Sequence, residues 1–469
     1  MVANRASTRS LFSFRNPLLW ILLPLGIYIL LSFRSDLDAE LAFPAHHFYI
    51  VSITSLVALF IAIVVGIVGL RQRNLQVIYV SLAFVSLASF FSAHGLATPG
   101  FLIANFTPVV GIAAQLSVFT MSLWLMVSSL ATNNGISNWL SKRANALFLI
   151  YTPAVIAVNI LALNDPRLVE FIPVDQAPLR YFVGGITLLA ASIAGTRYWQ
   201  SYRYSRFPFQ LSIAYVGGWI AVSQIIITTG QTFFLSWWLY HFLLLCAMIV
   251  TVAGLVTQYR RGDSIARSIL GLFSADPKER LQSGISPSAR ALIEATEARD
   301  PYIAGHSVRV ASGAFELGSA LRLPPEDLRA LVQGGVMHDV GKLQVPDEIL
   351  NKPGPLSPEE RKQIESHTEA GYELCARLGF MAPELAVIRS HHERIDGKGY
   401  PDGIAGGQIP LYVKILSVVD VYDALTTARA YRPAWSEAEA LNYLKENRRT
   451  QFEARLVDAW VTLRGKAAG

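Results

Sequence analysis

Long apolar runs with almost no charged residues dominate the first half of the chain. Between Asn16 and Gln258 these runs have the length of roughly 17–25 residues that a helix needs to span a bilayer. The pattern predicts eight membrane spans, near residues 17–33, 48–70, 75–93, 108–131, 144–163, 181–196, 209–230 and 238–257. We therefore expect an N-terminal helical membrane domain, in which the first and sixth spans are the shortest.

Beyond Gln258 the chain becomes charged, and its apolar positions recur at helical spacing. Helices are expected at residues 289–300, 304–322, 326–341, 358–378, 383–393, 410–427 and 435–462. Because few segments alternate as strands do, the expected fold class is all-α. The expected organisation is a membrane domain in 1–257, a connector in 258–285, and a helical domain in 286–469 that is long enough to bury its own core.

The connector contains one amphipathic segment, 264-SIARSILGLF-273. Such a segment can pack against a second copy of itself in a homodimer, or it can lie on the membrane surface. An ordered linker explains the pattern equally well, so the sequence leaves these alternatives open.

Composition and charge agree with a membrane protein. The chain is 52% hydrophobic and 16% charged, whereas a soluble protein has about 25% charged residues. Lysine and arginine concentrate in the N-terminal tail and in alternate loops, at Arg71, Arg73, Lys142, Arg143, Arg197, Arg203, Arg206, Arg260 and Arg261. By the positive-inside rule both termini face the cytoplasm. The net charge of +6 then reflects loops beside anionic lipid and does not indicate binding to a nucleic-acid polymer.

Five of the nine histidines follow residue 258, and two of them are adjacent. The five are His306, His338, His367, His391 and His392. His338 directly precedes Asp339, and Asp420 lies in an apolar helical run where a lone carboxylate would be costly to bury. A single histidine in a helical domain is more often structural than a ligand. This combination of imidazoles and carboxylates, however, suits first-row transition-metal ions.

The adjacent pairs favour two metal ions over one. Neighbouring side chains on a helix project about 100° apart. The pairs His338-Asp339 and His391-His392 can therefore flank two ions about 3.5–4 Å apart, with the carboxylate between them. Such a centre can activate water and bind the attacking and leaving oxygens of a phosphoester displacement.

Two residues after His338 suit a phosphate substrate. Lys342 lies four residues after His338 on the same helical face, where its positive charge can meet a phosphate. Gly341 would leave room for the substrate to approach closely. The pattern therefore predicts phosphoester chemistry.

The segments 338-HDVGK-342 and 391-HHERIDGKGYP-401 closely resemble the HD-GYP domain, a subclass of the HD metal-dependent phosphohydrolases. The resemblance extends from about Ser286 to the C-terminus, and its motifs are long and specific. It implies an all-helical domain that hydrolyses the bacterial second messenger cyclic di-GMP to the linear dinucleotide pGpG, to GMP, or to both. It also implies two divalent metal ions, most often iron or manganese.

Matched position by position, the resemblance implies a set of site residues. The implied metal ligands are His306, His338, Asp339, His367, His391, His392 and Asp420. Asp339 is implied to bridge the two ions and Lys342 to contact the scissile phosphate, so these two residues are the expected catalytic residues. The implied substrate-binding residues are Lys342, Gly399, Tyr400, Pro401, Asp423, Arg429 and Arg432.

Two positions leave alternatives open. Tyr400 can stack on a guanine base, which is worth about 1–3 kcal/mol per base, or it can be a packing residue of its loop. Some HD-GYP proteins hold a third ion with a glutamate four residues before the first histidine ligand, and here that position is Tyr302. A neutral phenol, with a pKa of about 10, is a poor ligand for a hard divalent ion, although Asp300 lies nearby. We therefore expect two ions.

The membrane half carries few polar residues that indicate a function. His46, His47 and His94 fall near the outer ends of the second and third predicted spans, and His241 is the one ionisable residue inside the spans other than tyrosine and cysteine. The outer histidines indicate either a sensory pocket for a metal, haem or a small ligand, or anchoring at the membrane interface, which the pattern favours slightly. The spans lack the charged residues that mark a transport pathway.

The sequence thus predicts a multi-pass receptor in the bacterial inner membrane whose cytoplasmic domain is a cyclic di-GMP phosphodiesterase. Membrane lipid and a second copy in a homodimer are the other expected partners. Three alternatives stay open: a catalytically silent cyclic di-GMP receptor, a phosphodiesterase for another cyclic dinucleotide, and a transporter with a regulatory domain. The intact ligand set argues against the silent receptor.

Overall fold

The computed structural model describes residues 17–72, 74–103, 105–130, 143–171, 173–260, 285, 287–299, 305–428 and 433–467. Within these ranges the protein is helical, with isolated β-bridges and no strand. The prediction of an all-α fold is therefore confirmed. The chain divides near residue 275 into two compact units, called here the membrane unit and the C-terminal unit.

The described part of the membrane unit consists of helices α1 Pro17–Phe33, α2 Pro44–Gln72, α3 Leu75–Leu96, α4 Val109–Ser128, α5 Ala144–Asn164, α6 Arg167–Glu170, α7 Leu179–Ser205, α8 Pro208–Thr229 and α9 Leu235–Arg260. Seven of these, all except α1 and α6, are long and apolar enough to cross a membrane. The sequence predicted eight spans. The first of them, α1, is present as an apolar helix but has only 17 residues, so the described residues contain seven long spans.

Helix α3 is the most enclosed helix of the described membrane unit. It begins where the Asn74 side chain accepts hydrogen bonds from the amides of Gln76 and Val77. Near its end, a Cβ on Gly95 would lie 2.8 Å from Cγ1 of Val51, so the absence of a side chain permits close packing of α3 on α2. Helices α2 and α5, in contrast, expose leucine and isoleucine side chains, as expected of helices that face lipid.

The C-terminal unit contains helices α10 Pro287–Arg299, α11 His306–Ala320, α12 Pro325–Met337, α13 Asp347–Leu350, α14 Pro358–Glu365, α15 His367–Arg377, α16 Ala382–Ser390, α17 Leu411–Thr426, α18 Glu437–Glu446 and α19 Ala454–Ala467. Two 3-10 helices, Val340–Gln344 and Gly406–Gln408, lie between them. Two predicted helices are each divided. The helix expected at 358–378 is interrupted at Ser366, and the one expected at 435–462 is interrupted between α18 and α19.

A buried apolar core holds the helices whose ends carry the candidate site. Leu317 of α11, Leu331 of α12, Leu416 of α17 and Trp460 of α19 are all fully buried in it. Each such side chain contributes about 1.5–3 kcal/mol relative to an exposed position. The core therefore holds α11, α12 and α17 in place relative to one another.

Some predicted features lie outside the described residues. They are the amphipathic connector segment 264–273, the candidate third-ion positions Asp300 and Tyr302, and the substrate-side residues Arg429 and Arg432. Their functions stay predictions.

Candidate metal centre

Helix ends bring the histidines of the C-terminal unit together. His306 and His367 are the first residues of α11 and α15, whereas His338 and His391 directly follow α12 and α16. Asp420 lies within α17, and all five side chains are buried. Five helices that are separate in sequence thus contribute to one polar cluster.

Three of the imidazole rings are oriented in the same way. Each has its Nδ1 in hydrogen-bond contact with the backbone carbonyl three residues earlier, at 2.6 Å for His338, 2.6 Å for His367 and 2.9 Å for His391. Because a carbonyl oxygen only accepts, Nδ1 carries the proton and Nε2 keeps its lone pair. The Nε2 atoms of His367 and His391 lie 3.3 Å apart. Lone pairs that converge in this way suit the binding of a cation.

Asp339 faces both sides of the cluster. Its Oδ2 lies 3.4 Å from Nε2 of His338, and its Oδ1 lies 3.5 Å from Nε2 of His367. Nζ of Lys342 donates a hydrogen bond of 2.6 Å to Oδ2. Burial raises the pKa of this carboxyl, but the positive charge of Lys342 and the surrounding imidazoles outweigh burial and hold the pKa well below its usual value. Asp339 is therefore negatively charged.

Asp420 supplies a second carboxylate, next to His306. Nε2 of His306 lies 3.2 Å from Oδ1 of Asp420. Burial lowers the pKa of His306, but hydrogen bonds to Asp420 and Asp423 raise it to about 9. A metal ion bound at Nε2 of His306 would take the place of the proton on that nitrogen, because a ligating imidazole must be neutral.

The side chains form two groups of three candidate ligands. His306, His338 and Asp339 form the first group, and His367, His391 and His392 form the second; within each group the ligand atoms lie within 4.8 Å of one another. Burial lowers the pKa of His392 to about 3 and also lowers the pKa of His367. Neutral imidazoles together with buried carboxylates fit iron, manganese or zinc. The prediction of metal-binding clusters is confirmed, whereas the number and identity of the ions stay predictions.

Gly341 was predicted to leave room for the substrate, but the structure gives it a different role. A Cβ at this position would collide with the carbonyl oxygen of His367 and would lie 2.6 Å from the amide nitrogen of Gly371. Glycine therefore allows the 3-10 helix Val340–Gln344 to lie directly against α15. The residue serves backbone packing, and through that packing it places Lys342 beside Asp339.

The loop after His392 turns back over the cluster. The ring of Tyr400 lies 4.7 Å from that of His392, with 34° between the planes. A Cβ on Gly399 would lie 2.5 Å from the carbonyl oxygen of His392 and 2.5 Å from the amide nitrogen of Arg394. Only glycine can therefore lie at this crossing of the loop without displacing the backbone. Pro401 follows Tyr400 through a cis peptide bond.

A cavity of about 390 Å³ lies between the ligand groups and this loop. Its lining includes His306, Asp339, Lys342, His367, His392 and Tyr400. Ligand pockets in proteins commonly have volumes of about 300–1,000 Å³. Charged lysine, the ligand groups and an aromatic ring therefore face one space that a substrate can enter.

Asp423, which was expected on the substrate side, lies behind His306. Its Oδ2 is 2.7 Å from Nδ1 of His306. Arg309 donates to both carboxylate oxygens, from Nε at 2.8 Å and from Nη2 at 3.0 Å. The carboxylate is thus held by Arg309 and in turn orients the ring of His306. Sequence reasoning missed this contact because the two charged residues are 114 positions apart.

Sequence reasoning also missed the residues that hold the Tyr400 loop. Arg389 donates two hydrogen bonds to Asp402, at 2.9 and 2.8 Å, and one to Glu369 at 3.0 Å. Oε1 of Glu393 accepts the amide of Asp402 at 2.8 Å. Glu393 lies within the 391–401 motif and Asp402 directly follows it, and these positions were a signal that the two residues support its loop.

Comparison with known proteins identifies the C-terminal unit. Residues 290–456 match the family model described as "HD domain". The cyclic di-GMP phosphodiesterase response regulator RpfG of Xanthomonas campestris pv. campestris is 38% identical over 210 residues, which are 44% of this chain and 54% of that protein. The cyclic di-GMP phosphodiesterase PA4108 of Pseudomonas aeruginosa is 33% identical over 212 residues, which are 44% of this chain and 50% of that protein.

A third relative acts on a different cyclic dinucleotide. The 3'3'-cGAMP-specific phosphodiesterase 3 of Vibrio cholerae is 34% identical over 157 residues, which are 34% of this chain and 34% of that protein. The chain spans about half the length, or less, of the curated relatives that it matches. The family match and these relatives bear out the resemblance noted in the sequence, and over residues 290–456 the chain matches an HD domain.

Proposed function

We propose that the protein is a membrane-bound, metal-dependent phosphodiesterase that hydrolyses cyclic di-GMP to pGpG, to GMP, or to both. The observation that carries this proposal is the position of Asp339, whose two oxygens face the two ligand groups. A carboxylate in this position is suited to bridge two divalent ions, and iron or manganese is the proposed metal. The relatives named as cyclic di-GMP phosphodiesterases support the choice of substrate.

The proposed ligands are His306, His338, Asp339, His367, His391, His392 and Asp420. Divalent ions held by these residues would stabilise negative charge on the phosphate and make a bound water more acidic. Asp423 orients His306 through its Nδ1, so its proposed role is positioning. Such supporting residues are as much a part of a metal site as the ligands.

The remaining residues of the cavity would bind the substrate. Lys342 places a positive charge at the cavity wall, where it can donate to a phosphate oxygen; a hydrogen bond to a charged group is worth about 1.5–3 kcal/mol. Tyr400 would stack on a guanine base, and Gly399 and Pro401 shape the loop that presents its ring. Arg429 and Arg432 are proposed to bind the anionic substrate as well.

The test is a hydrolysis assay on purified full-length protein in detergent, loaded with Mn²⁺ or Fe²⁺. We expect cyclic di-GMP to be converted to pGpG or GMP. The Asp339→Asn variant keeps the size of the side chain but removes its charge, and it should lose activity by more than about 100-fold, beyond the effect of a residue that only supports a ligand. Tight cyclic di-GMP binding without hydrolysis under either metal would contradict this proposal and favour the silent receptor.

A second candidate substrate is 3'3'-cGAMP, because one matched relative is specific for it. Both dinucleotides share the phosphodiester ring and one guanine, so Lys342 and Tyr400 could serve either. The ratio of kcat/KM values for the two substrates, measured on the same preparation, decides between them. A ratio above about 10 corresponds to more than about 1.4 kcal/mol of differential transition-state binding.

The proposed location is the bacterial inner membrane, with both termini and the HD domain in the cytoplasm. The seven long apolar helices support a membrane protein, and the basic loops support this orientation. Fusions of alkaline phosphatase and of green fluorescent protein to the C-terminus test it. Fluorescence without phosphatase activity is expected, and the reverse result would contradict the orientation. The receptor role and the homodimer stay proposals.

A further inference from the structure

Three histidines lie together in the membrane unit. Nε2 of His47 is 2.9 Å from Nε2 of His94 and 2.9 Å from Nε2 of His241. The three residues are only 1%, 2% and 0% exposed. They belong to α2, α3 and α9, so that the cluster is formed by the packing of these helices.

The opposite edges of two of the rings are held by neighbouring groups. Nδ1 of His94 donates to the carbonyl oxygen of Val110 at 2.7 Å, which leaves the lone pair on Nε2. Nδ1 of His47 lies 2.8 Å from Oγ1 of Thr98. Proteins orient ligating imidazoles in this way, by hydrogen bonds to the nitrogen that does not bind the metal.

We propose that His47, His94 and His241 bind a transition-metal ion of the zinc or copper class through their Nε2 atoms. Imidazole nitrogen is the donor that these ions share. In a tetrahedral zinc site with Zn–N distances of about 2.0–2.1 Å, the nitrogens lie about 3.3 Å apart. The two observed distances of 2.9 Å from His47 would need to increase by about 0.4 Å, and the ligand atoms of all three residues lie within 4.8 Å of one another, so small rotations of the rings supply the adjustment.

A fourth ligand position lies beside Tyr240. Its hydroxyl oxygen is 3.3 Å from Nε2 of His94, and its ring lies 3.8 Å from that of His241. The phenol can therefore complete a four-coordinate site or hold a water that does so. Three protein nitrogens with one exchangeable position are a common arrangement for zinc.

The same packing disfavours the haem that the sequence left open. The imidazoles are enclosed by aromatic rings, with Trp237 4.4 Å from His241 and Phe91 5.4 Å from His94. A porphyrin would have to separate histidines that now touch one another. A single ion fits between the three nitrogens with little rearrangement.

The position of the cluster suits an ion that arrives from outside the cell. His47 lies in the first turn of α2, His241 in the second turn of α9, and His94 in the last turn of α3. All three positions are at the helix ends opposite to those that carry Arg71 and Arg260. By the positive-inside rule that end of the unit faces outward. The ion would therefore not need to cross the bilayer.

His46 provides a matched control. The sequence grouped it with His47 and His94, but its side chain is exposed and contacts the ring of Phe43. Substitution of His46 removes a histidine from the same helix turn without touching the cluster. The alternative is a cluster without metal, in which Nε2 of His47 donates one proton to Nε2 of both His94 and His241. His47→Gln tests this alternative, because the amide of glutamine also donates.

The experiment counts zinc ions per chain after dialysis of the purified full-length protein against buffered Zn²⁺, followed by elemental analysis. Wild type and His46→Asn should bind equal amounts. His94→Asn, His241→Asn and His47→Gln should each bind one ion per chain fewer, while the ions of the C-terminal unit stay in place. The replacement side chains are polar and similar in size to histidine, which favours folding. Size-exclusion chromatography then selects the variants that remain folded.

An unchanged zinc count in any folded cluster variant would overturn the proposal. Equal counts in wild type and all three cluster variants, with His47→Gln folded, would assign the cluster to hydrogen bonding alone. Repeating the zinc measurement in the Asp339→Asn variant separates the two sites. In this variant the C-terminal unit should lose its ions, whereas the ion of the membrane unit should stay bound. The outcome is independent of the proposed phosphodiesterase activity, since the readout is metal content.

Discussion

At the scale of single residues, Asp423 tests whether a carboxylate near the cavity binds substrate or positions a ligand. It contacts Nδ1 of His306 at 2.7 Å. The change Asp423→Asn weakens that contact and should lower metal affinity or turnover by about 10–100-fold, the usual effect of removing a partner of a ligating histidine. Metal affinity and the separate values of kcat and KM are the measurements.

The two roles of Asp423 predict different results. A positioning role lowers metal affinity, and kcat recovers when excess metal is supplied. A substrate-binding role would raise KM at unchanged metal content, which would contradict our assignment. Asp458→Asn is the control, because that carboxylate is exposed and pairs with Arg448.

Lys342 tests the division between metal binding and phosphate binding. Lys342→Ala should lower kcat/KM by about 10–150-fold, the equivalent of losing a hydrogen bond of about 1.5–3 kcal/mol to a charged group. Metal content should stay near that of wild type, because the lysine contacts Asp339 but offers no lone pair while charged.

The matched control for Lys342 is Lys352→Ala. Lys352 belongs to the same unit and pairs with Glu360 on the surface. If Lys342→Ala loses metal while Lys352→Ala does not, the lysine maintains the charge and position of Asp339, and its proposed contact with phosphate is wrong.

Residue types in the sequence identified most of the cluster, but not how its members are supported. Histidines and buried carboxylates were recognisable because they are scarce in apolar helices and costly to bury alone. The support of His306 by Asp423 was not recognisable, since that contact depends on how α11 packs on α17. For the same reason, His47 and His94 gave no sign that His241 joins them.

At the scale of elements, the ends of the helices place the candidate ligands, and these ends were the feature that the sequence predicted least well. The apolar runs of the membrane unit predicted α2 and α9 closely, since length and hydropathy define a span. The predicted helix at 358–378 was wrong at Ser366, where no proline or glycine marks the break. The interruption makes His367 the first residue of α15, which points its Nε2 toward Asp339.

The path of the loop 393–403 depends on the close backbone approach at Gly399. A Cβ on Gly399 would lie 2.5 Å from the backbone on the other side of the loop, so Gly399→Ala should displace Tyr400 from the cavity. We expect a destabilisation of about 1–3 kcal/mol, the usual cost of overpacking, and a rise in KM. Thermal unfolding and steady-state kinetics measure the two effects.

Gly407 is the matched control for this substitution. It lies in the nearby 3-10 helix Gly406–Gln408, and a Cβ there would meet no atom within 4 Å. Gly407→Ala should therefore leave stability and KM close to wild type. Equal effects of the two substitutions would show that the crossing at Gly399 does not position Tyr400.

At the scale of the whole molecule, the two units have separate sources of stability. The buried residues of the two apolar clusters in the C-terminal unit all lie between Ala289 and Trp460. The sequence predicted this division from the change in composition after Gln258. We therefore expect residues 286–469 to fold and bind metal without the membrane unit.

The last prediction is that bound metal contributes to the stability of this fragment. An ion that binds only the folded state stabilises it by about 2.7 kcal/mol at a free concentration of 100 times Kd. For a fragment of this length each kcal/mol shifts Tm by about 2–4 °C, so that chelation should lower Tm by about 5–10 °C. Differential scanning calorimetry of the manganese-loaded and chelated fragment measures the shift. In Asp339→Asn, the shift should shrink, because the Asp339 carboxylate faces both ligand groups and is proposed to bind both ions. An equal Tm with and without chelator, at full metal occupancy, would mean that the unfolded chain binds the ions as tightly as the folded fragment does, and it would contradict this prediction.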